Sequence, residues 1–151
     1  MATDPTVAIY GDKIVALLNA ATLSDTFTAT RKWFPFWESI ESIKGLTVTV
    51  VPNIFEEDDE GGDRDHGDEI QEIYIGVQKK LTDVDDAGNV KNSEVDPLVY
   101  LAEEIRDMFF RLRLGTTPDV VVTAAPLTIL GEHIAARIFT AAITLRLNRG
   151  E

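Results

Sequence analysis

The chain has 151 residues, of which 44% are hydrophobic and 26% charged, as in a globular domain that can bury a core. It contains no cysteine, which excludes disulfides and thiolate metal sites, and its net charge of −12 argues against binding to a phosphate backbone. Its apolar runs are shorter than the ~18 residues that span a bilayer, and its N-terminus lacks the pattern of a signal peptide. The lack of cysteine suits a protein made in a reducing cytoplasm, although it also fits other compartments.

The first predicted element is a helix that begins at Asp4, which can cap it, and Pro5, whose missing N–H costs nothing there. Its apolar residues recur at three- and four-residue spacing from Val7 to Ala21. Alternation in residues 26–33 then predicts a strand that Pro35 ends. A second strand, in which Leu46, Val48 and Val50 share a face, is closed by Pro52.

An acidic stretch, residues 56–69, follows the second strand. It has nine acidic residues against Arg64 alone, and so contributes −8 of the total −12. Alternation resumes at Ile73, Ile75 and Val77, so the two strands predict a hairpin with an oversized acidic loop, residues 53–69. Because the stretch is charged and contains two adjacent glycines, we expect it to stay mobile unless a neighbouring protein orders it.

In the second half of the chain, Asp96 and Pro97 are expected to open a second helix that Gly115 ends. A short buried strand is predicted at residues 119–126, and the most regular alternation in the sequence predicts a last strand at 139–147. The sequence therefore predicts an α+β fold, with a mainly antiparallel sheet of four to five strands packed with two main helices, in one domain over residues 1–151. The expected core includes the following residues: Ile14, Leu18, Val48, Val50, Ile75, Ile105, Phe109, Ile143 and Leu145.

The segment from Asp83 to Glu94 partly matches a calcium-binding EF-hand loop, with Asp83, Asp85, Gly88 and Glu94 at expected positions. Ala87 offers no side-chain oxygen at the fifth position, and a strand precedes the segment where the motif needs a helix. Asp, Gly and Asn are also ordinary turn residues. A turn is the favoured interpretation, and no metal or cofactor is expected.

Catalytic signals are weak. His66 lies within the acidic stretch, where a solvated role is favoured, and His133 is expected to be structural or at the surface. The serines have no nucleophile-elbow context, and there is no Gly-rich phosphate loop or paired-histidine metal motif. We therefore do not expect an enzyme.

Four aromatic residues, Trp33, Phe34, Phe36 and Trp37, lie beside Arg31 and Lys32. Tryptophan and arginine are typical of binding hot spots, but the rings could equally fill the core where the first strand turns. Arg31, Trp33 and Trp37 are the candidate subunit contacts.

Taken in order, these features resemble the tail terminator, or tail-completion, proteins of long-tailed bacteriophages. The resemblance covers nearly the whole chain and rests on an amphipathic N-terminal helix, an Arg-bearing strand with a nearby Pro, an "L-x-V-x-V-x-P" strand, a variable charged loop, a "V-Q-K-K" run, a second helix and an "F-x-A-x-I-x-L" strand. The matching positions are Arg31, Pro35, Leu46, Val48, Val50, Pro52, Val77–Lys80, Phe139, Ala141, Ile143 and Leu145.

The resemblance implies a structural virion protein of the tail or neck, assembled in the host cytoplasm. Its members form a hexameric ring that caps the tail tube, ends its polymerisation and joins the tail to the head. The implied partners are further copies of the chain, the tail tube protein and a head–tail connector or neck protein, without a membrane or sequence-specific nucleic acid. Another phage neck protein and a calcium-dependent cellular binding module are the alternatives.

The resemblance implies that the acidic stretch is a partner contact or a lumen element. Six such stretches in a ring would form a negative collar that repels passing DNA and could pair with a basic neighbour. The acidic residues concerned are Glu56, Glu57, Asp58, Asp59, Glu60, Asp63, Asp65, Asp68 and Glu69.

Overall fold

A computed structural model describes residues 6–33, 45–53, 71–115 and 120–149. In chain order its elements are α1 (Thr6–Ala20), β1 (Ala29–Arg31), β2 (Thr47–Asn53), β3 (Gln71–Lys80), α2 (Asn92–Met108), β4 (Leu112–Arg113), β5 (Val120–Ala124), β6 (Thr128–Ile129), α3 (Gly131–Ala135) and β7 (Ile138–Arg149). The fold is α+β, as the sequence predicts.

The strands form one curled, mixed sheet in the order β1-β2-β3-β7-β5-β4, and β6 also pairs with β7. Among the strand pairs of the described residues, β1–β2 is parallel and the others are antiparallel. The expected number of four to five strands is therefore too low, since the described residues form seven. The additional strands, β4 and β6, have only two residues each, too few to leave an alternating pattern in the sequence.

The long strands bury the face that their alternation predicts. Helix α1 contacts β1 and β2, and α2 contacts β7. All nine expected core residues are buried, so that prediction is confirmed. The β2–β3 pair is an antiparallel hairpin whose register joins Asn53 to Glu72. Both ends of the intervening segment, which contains the acidic stretch, therefore leave the sheet at the same end.

Helix α2 begins earlier than expected, at Asn92 rather than near Asp96. The N–H groups of Glu94 and Val95 both bond to the Lys91 carbonyl, at 3.1 and 3.4 Å, and this closes the first turn before Pro97. Pro97 lies inside the helix, where its ring leaves the Ser93 carbonyl without its usual intrahelical donor. The Asp-Pro pair is thus not the start signal that the sequence suggested.

Two other predicted boundaries are wrong. Helix α2 ends at Met108, and β4 stands between it and Gly115, whose φ is 69°. Pro52 lies within β2 and pairs with Ile73 rather than closing the strand. It lies beyond Val50, the last residue of β2 that pairs with β1, so β2 is an edge there and tolerates proline.

Candidate functional site

The first candidate surface, here called the Arg31 cluster, comprises Asp12, Arg31 and Trp33. Arg31 ends β1, an edge strand, and its Nε lies 2.6 Å from the Asp12 Oδ1 on α1. Its guanidinium lies over the Trp33 ring, 5.4 Å from the centroid. The helix can approach the strand because Gly11 has no side chain: a Cβ there would lie 3.0 Å from the Arg31 Cδ.

The Arg31 cluster is open to solvent. The Trp33 residue is 43% exposed, and the Arg31 side chain retains 26% of its surface. Arginine and tryptophan are typical of protein-binding hot spots, and here the Asp12 contact and the stacking on the Trp33 ring hold the Arg31 guanidinium in place. Two of the three expected contact residues, Arg31 and Trp33, are therefore brought together, while Trp37 lies outside the described residues.

The nine acidic residues predicted as a partner or lumen element also lie outside the described residues, as does His66. The two residues that flank their segment are Asn53, at the end of β2, and Gln71, at the start of β3. These strands are the second and third from the β1 edge of the sheet. The acidic stretch is thus attached close to the edge that carries the Arg31 cluster.

A second surface, here called the Phe110 cluster, comprises Arg106, Phe110 and Arg111. The guanidinium groups of Arg106 and Arg111 lie 5.9 and 5.4 Å from the centroid of the Phe110 ring, which belongs to a residue 52% exposed. Arg106 also donates from Nε to the Ala125 carbonyl at 2.9 Å, which fixes its position. Sequence reasoning assigned Phe109 to the core and missed its neighbour. The available signal was an aromatic residue flanked by arginines four residues before and one residue after it.

The two clusters lie at opposite edges of the sheet. Trp33 follows β1, and Arg111 immediately precedes β4, the strand at the other end of the sheet order. Five strand spacings separate β1 from β4, about 24 Å along the curled sheet. Both clusters also lie towards the end of the sheet at which the acidic stretch is attached. The strand β1 runs parallel to β2 towards Pro52, and Trp33 follows β1. At the other edge, Leu112 pairs with Val122, which pairs with Leu147, and Leu147 pairs with Gln71.

The segment from Asp83 to Glu94 forms a hydrogen-bonded turn between β3 and α2. Asp85 Oδ1 accepts N–H bonds from Ala87 and Asn89, both at 2.9 Å, and Gly88 adopts a φ of 84°. The Glu94 carboxylate accepts the N–H groups of Thr82 and Asp83 at 2.9 and 2.6 Å. The Asp85 and Glu94 carboxylates, which an EF-hand would direct at calcium, therefore cap the backbone, and a strand precedes the turn.

Two further polar features of the described residues lie in the α3–β7 region and beside the turn. His133 Nδ1 lies 2.7 Å from the Thr140 Oγ1, a contact within the α3–β7 region. An open depression of about 380 Å³ lies beside the turn, lined by Lys79, Asp83 and Glu94 among others. Asp83 is held by Lys91 at 3.2 Å, and Glu94 by backbone N–H groups.

Within residues 6–33, 45–53, 71–115 and 120–149, no three His, Asp or Glu side chains converge so that they could hold a metal ion. None of the helices described there is both long enough and apolar enough to cross a membrane. The chain matches no protein-family model and no curated protein.

Proposed function

We propose that this chain is a structural protein of a phage virion that forms a ring, caps the tail tube and joins the tail to the neck. The observation that carries the proposal is the placement of two exposed arginine–aromatic clusters at opposite edges of one sheet. A ring is built from heterologous contacts, in which one surface of each subunit meets a different surface of the next. A subunit that carries the Arg31 cluster at one sheet edge and the Phe110 cluster at the other meets that requirement.

The order of elements supports the same role. The described chain has a helix, an edge strand with Arg31, a hairpin that brackets the acidic stretch, a second helix and a long closing strand. That order is the one on which the resemblance to tail terminator proteins rests. The protein acts in this proposal as a structural component and not as a catalyst.

The oligomeric state and the effect on tail tubes test the proposal together. We expect the purified chain to form a hexameric ring by native mass spectrometry and negative-stain microscopy. Added to polymerising tail tube protein, it should stop elongation and give tubes that join heads. A chain that stays monomeric at the tube and leaves tube length unchanged would overturn the proposal.

A matched pair of variants tests the Arg31 cluster. Trp33→Ser should raise the concentration needed for half-assembly by about tenfold, because exposed tryptophans contribute strongly to interfaces. Tyr100→Ser is the control, since Tyr100 is 58% exposed on α2, which packs over the central strand β7. Equal loss of assembly in both variants would remove the Arg31 cluster from the interface.

Calcium separates the proposed ring from a calcium-dependent binding module. Because Glu94 and Asp85 already accept backbone N–H bonds, millimolar calcium should shift the melting temperature no more than magnesium does. The measurement is a thermal melt of the metal-free chain with each ion. A shift of many degrees specific to calcium would favour the binding module instead.

A further inference from the structure

The Phe110 cluster is a basic and aromatic surface on a strongly acidic chain. Arg106 pairs only loosely with its neighbour Asp107, at 3.6 Å, and among the described residues no carboxylate pairs with Arg111. The ring between these guanidinium groups is half exposed. Guanidinium groups bind carboxylates with paired hydrogen bonds, and the aromatic face holds them in place, so the surface suits an acidic protein segment.

Arg111 occupies a backbone conformation that disfavours side chains. Its φ of 62° lies in the left-handed region, where a Cβ crowds the following carbonyl and glycine is the usual residue. The turn from α2 into β4 would form at least as easily with glycine. Replacing Arg111 with glycine should therefore leave this turn intact, so that the role of the side chain can be tested alone.

The position of the cluster in the sheet indicates which acidic segment it can meet. Leu112, next to Arg111, is aligned with Gln71 across the sheet, through the pairs Leu112–Val122, Val122–Leu147 and Leu147–Gln71. Gln71 is the residue at which the segment containing the acidic stretch joins β3. The attachment point and the cluster therefore share one level along the strands. The attachment lies near the β1 edge, whereas the cluster lies at the β4 edge.

We propose that the Phe110 cluster binds the acidic stretch, residues 56–69, of a neighbouring copy of the chain. This inference rests on the proposed ring and names one of its contacts. In a ring whose axis runs along the strands, rotation from one copy to the next does not change the height of a residue along the axis. The same rotation brings the β1 edge of one copy to the β4 edge of the next. A stretch of charge −8 then meets two guanidinium groups, and the contact selects head-to-tail association.

Two matched pairs of variants test the role of the cluster in assembly. Arg111→Gly should weaken ring assembly by roughly threefold to tenfold without loss of folding, while Arg137→Gly should not weaken it. Arg137 is a suitable control because it is also exposed, has a φ of 65° and follows α3, near the other end of the sheet. R106E/R111E should weaken assembly by at least about tenfold, while K80E/R137E, with the same charge change at the other end, should not.

Cross-linking identifies the occupant. In the R111K variant, a zero-length carbodiimide joins the introduced amine to a carboxylate that touches it. Rings assembled from mixed nitrogen-14 and nitrogen-15 subunits should give peptide pairs of unlike isotope that link position 111 to residues 56–69. Circular dichroism and urea unfolding establish that each variant is folded before its assembly is measured.

The outcomes distinguish the inference from the proposed function. Intact rings whose links to residues 56–69 join only like isotopes would show that each copy binds its own stretch, and intact rings without such links would show that the cluster has another use. Either result overturns the inference and leaves the ring standing. Assembly of R111G and R106E/R111E that equals assembly of the wild-type chain also overturns the inference and leaves the ring standing. A wild-type chain that forms no ring overturns both the inference and the proposed function.

Discussion

At the scale of single residues, Gly11 determines how closely α1 approaches the sheet. A Cβ at this position would lie 3.0 Å from the Arg31 Cδ and 3.1 Å from the Pro52 Cγ. The Arg31 side chain can move, but the Pro52 ring in β2 is rigid. The glycine that weakens α1 as an isolated helix therefore permits the contact that holds Arg31 beside Asp12 at 2.6 Å.

Gly11→Val should lower the free energy of unfolding by about 2–3 kcal/mol, because the added side chain overpacks the contact with Pro52. Ala16→Val, at an exposed position of the same helix, introduces the same side chain and should cost only the difference in helix propensity, about 0.6 kcal/mol. Urea unfolding of both variants measures the difference. Equal stabilities would mean that α1 does not pack against Pro52 as described.

At the scale of elements, the turn between β3 and α2 depends on Glu94. Its carboxylate accepts N–H bonds from Thr82 and Asp83, the residues that leave β3, although Glu94 itself lies in the first turn of α2. A single side chain thus joins the end of the strand to the start of the helix. It also lies near the positive end of the helix dipole, which favours its charge.

Glu94→Ala should lower the free energy of unfolding by about 1–2 kcal/mol, because two backbone donors lose a charged acceptor. Asp86→Ala is the control, since Asp86 is exposed in the same turn. Chemical denaturation at neutral pH compares the two variants with the wild-type chain. A loss as large in D86A as in E94A would indicate a general effect of charge in the turn rather than the two hydrogen bonds.

The elements that the sequence predicts well are those with many residues on one buried face. Ile73, Ile75 and Val77 of β3 alternate over ten residues, and the period alone identifies the strand and its inner face. Strands β4 and β6 have two residues each, so only their pairing with β5 and β7 defines them. Pairing is a tertiary property, and local pattern does not encode it.

The outer face of the sheet is a second feature that alternation does not predict. Thr49, Gln78 and Thr140 are polar and alternate with the core residues, which indicates a solvated face, yet all three are buried. Gln78 donates to the Thr140 Oγ1 at 3.3 Å, which satisfies two of these buried groups, whereas the Thr49 Oγ1 has no hydrogen-bond partner among the described residues. The Phe110 cluster was missed for a related reason, since the exposure of one aromatic residue beside a buried one depends on where the helix ends.

At the scale of the whole molecule, charge and fold are separable. The acidic stretch contributes −8 of the −12, and none of its fourteen residues has an apolar side chain that could join the core. The core cluster is built from α1, α2, the long strands and their neighbours, all of which lie outside the stretch. The charge of residues 56–69 should therefore affect association far more than folding.

Replacing the nine acidic residues of this stretch with Ser or Asn should leave the urea midpoint of the isolated subunit unchanged or slightly higher, because the crowded like charges no longer repel one another. The same variant should join tails to heads poorly at physiological salt, because an acidic surface that selects its basic partner has been removed. Subunit unfolding and assembly of the variant with purified tails and heads measure the two effects separately. Replacement of two exposed acids elsewhere, Asp86→Ser and Glu103→Ser, is a control for charge outside the stretch and should leave joining intact. Full joining by the nine-residue variant would show that the charge serves solubility alone, and unfolding of the isolated subunit would show that the stretch belongs to the fold.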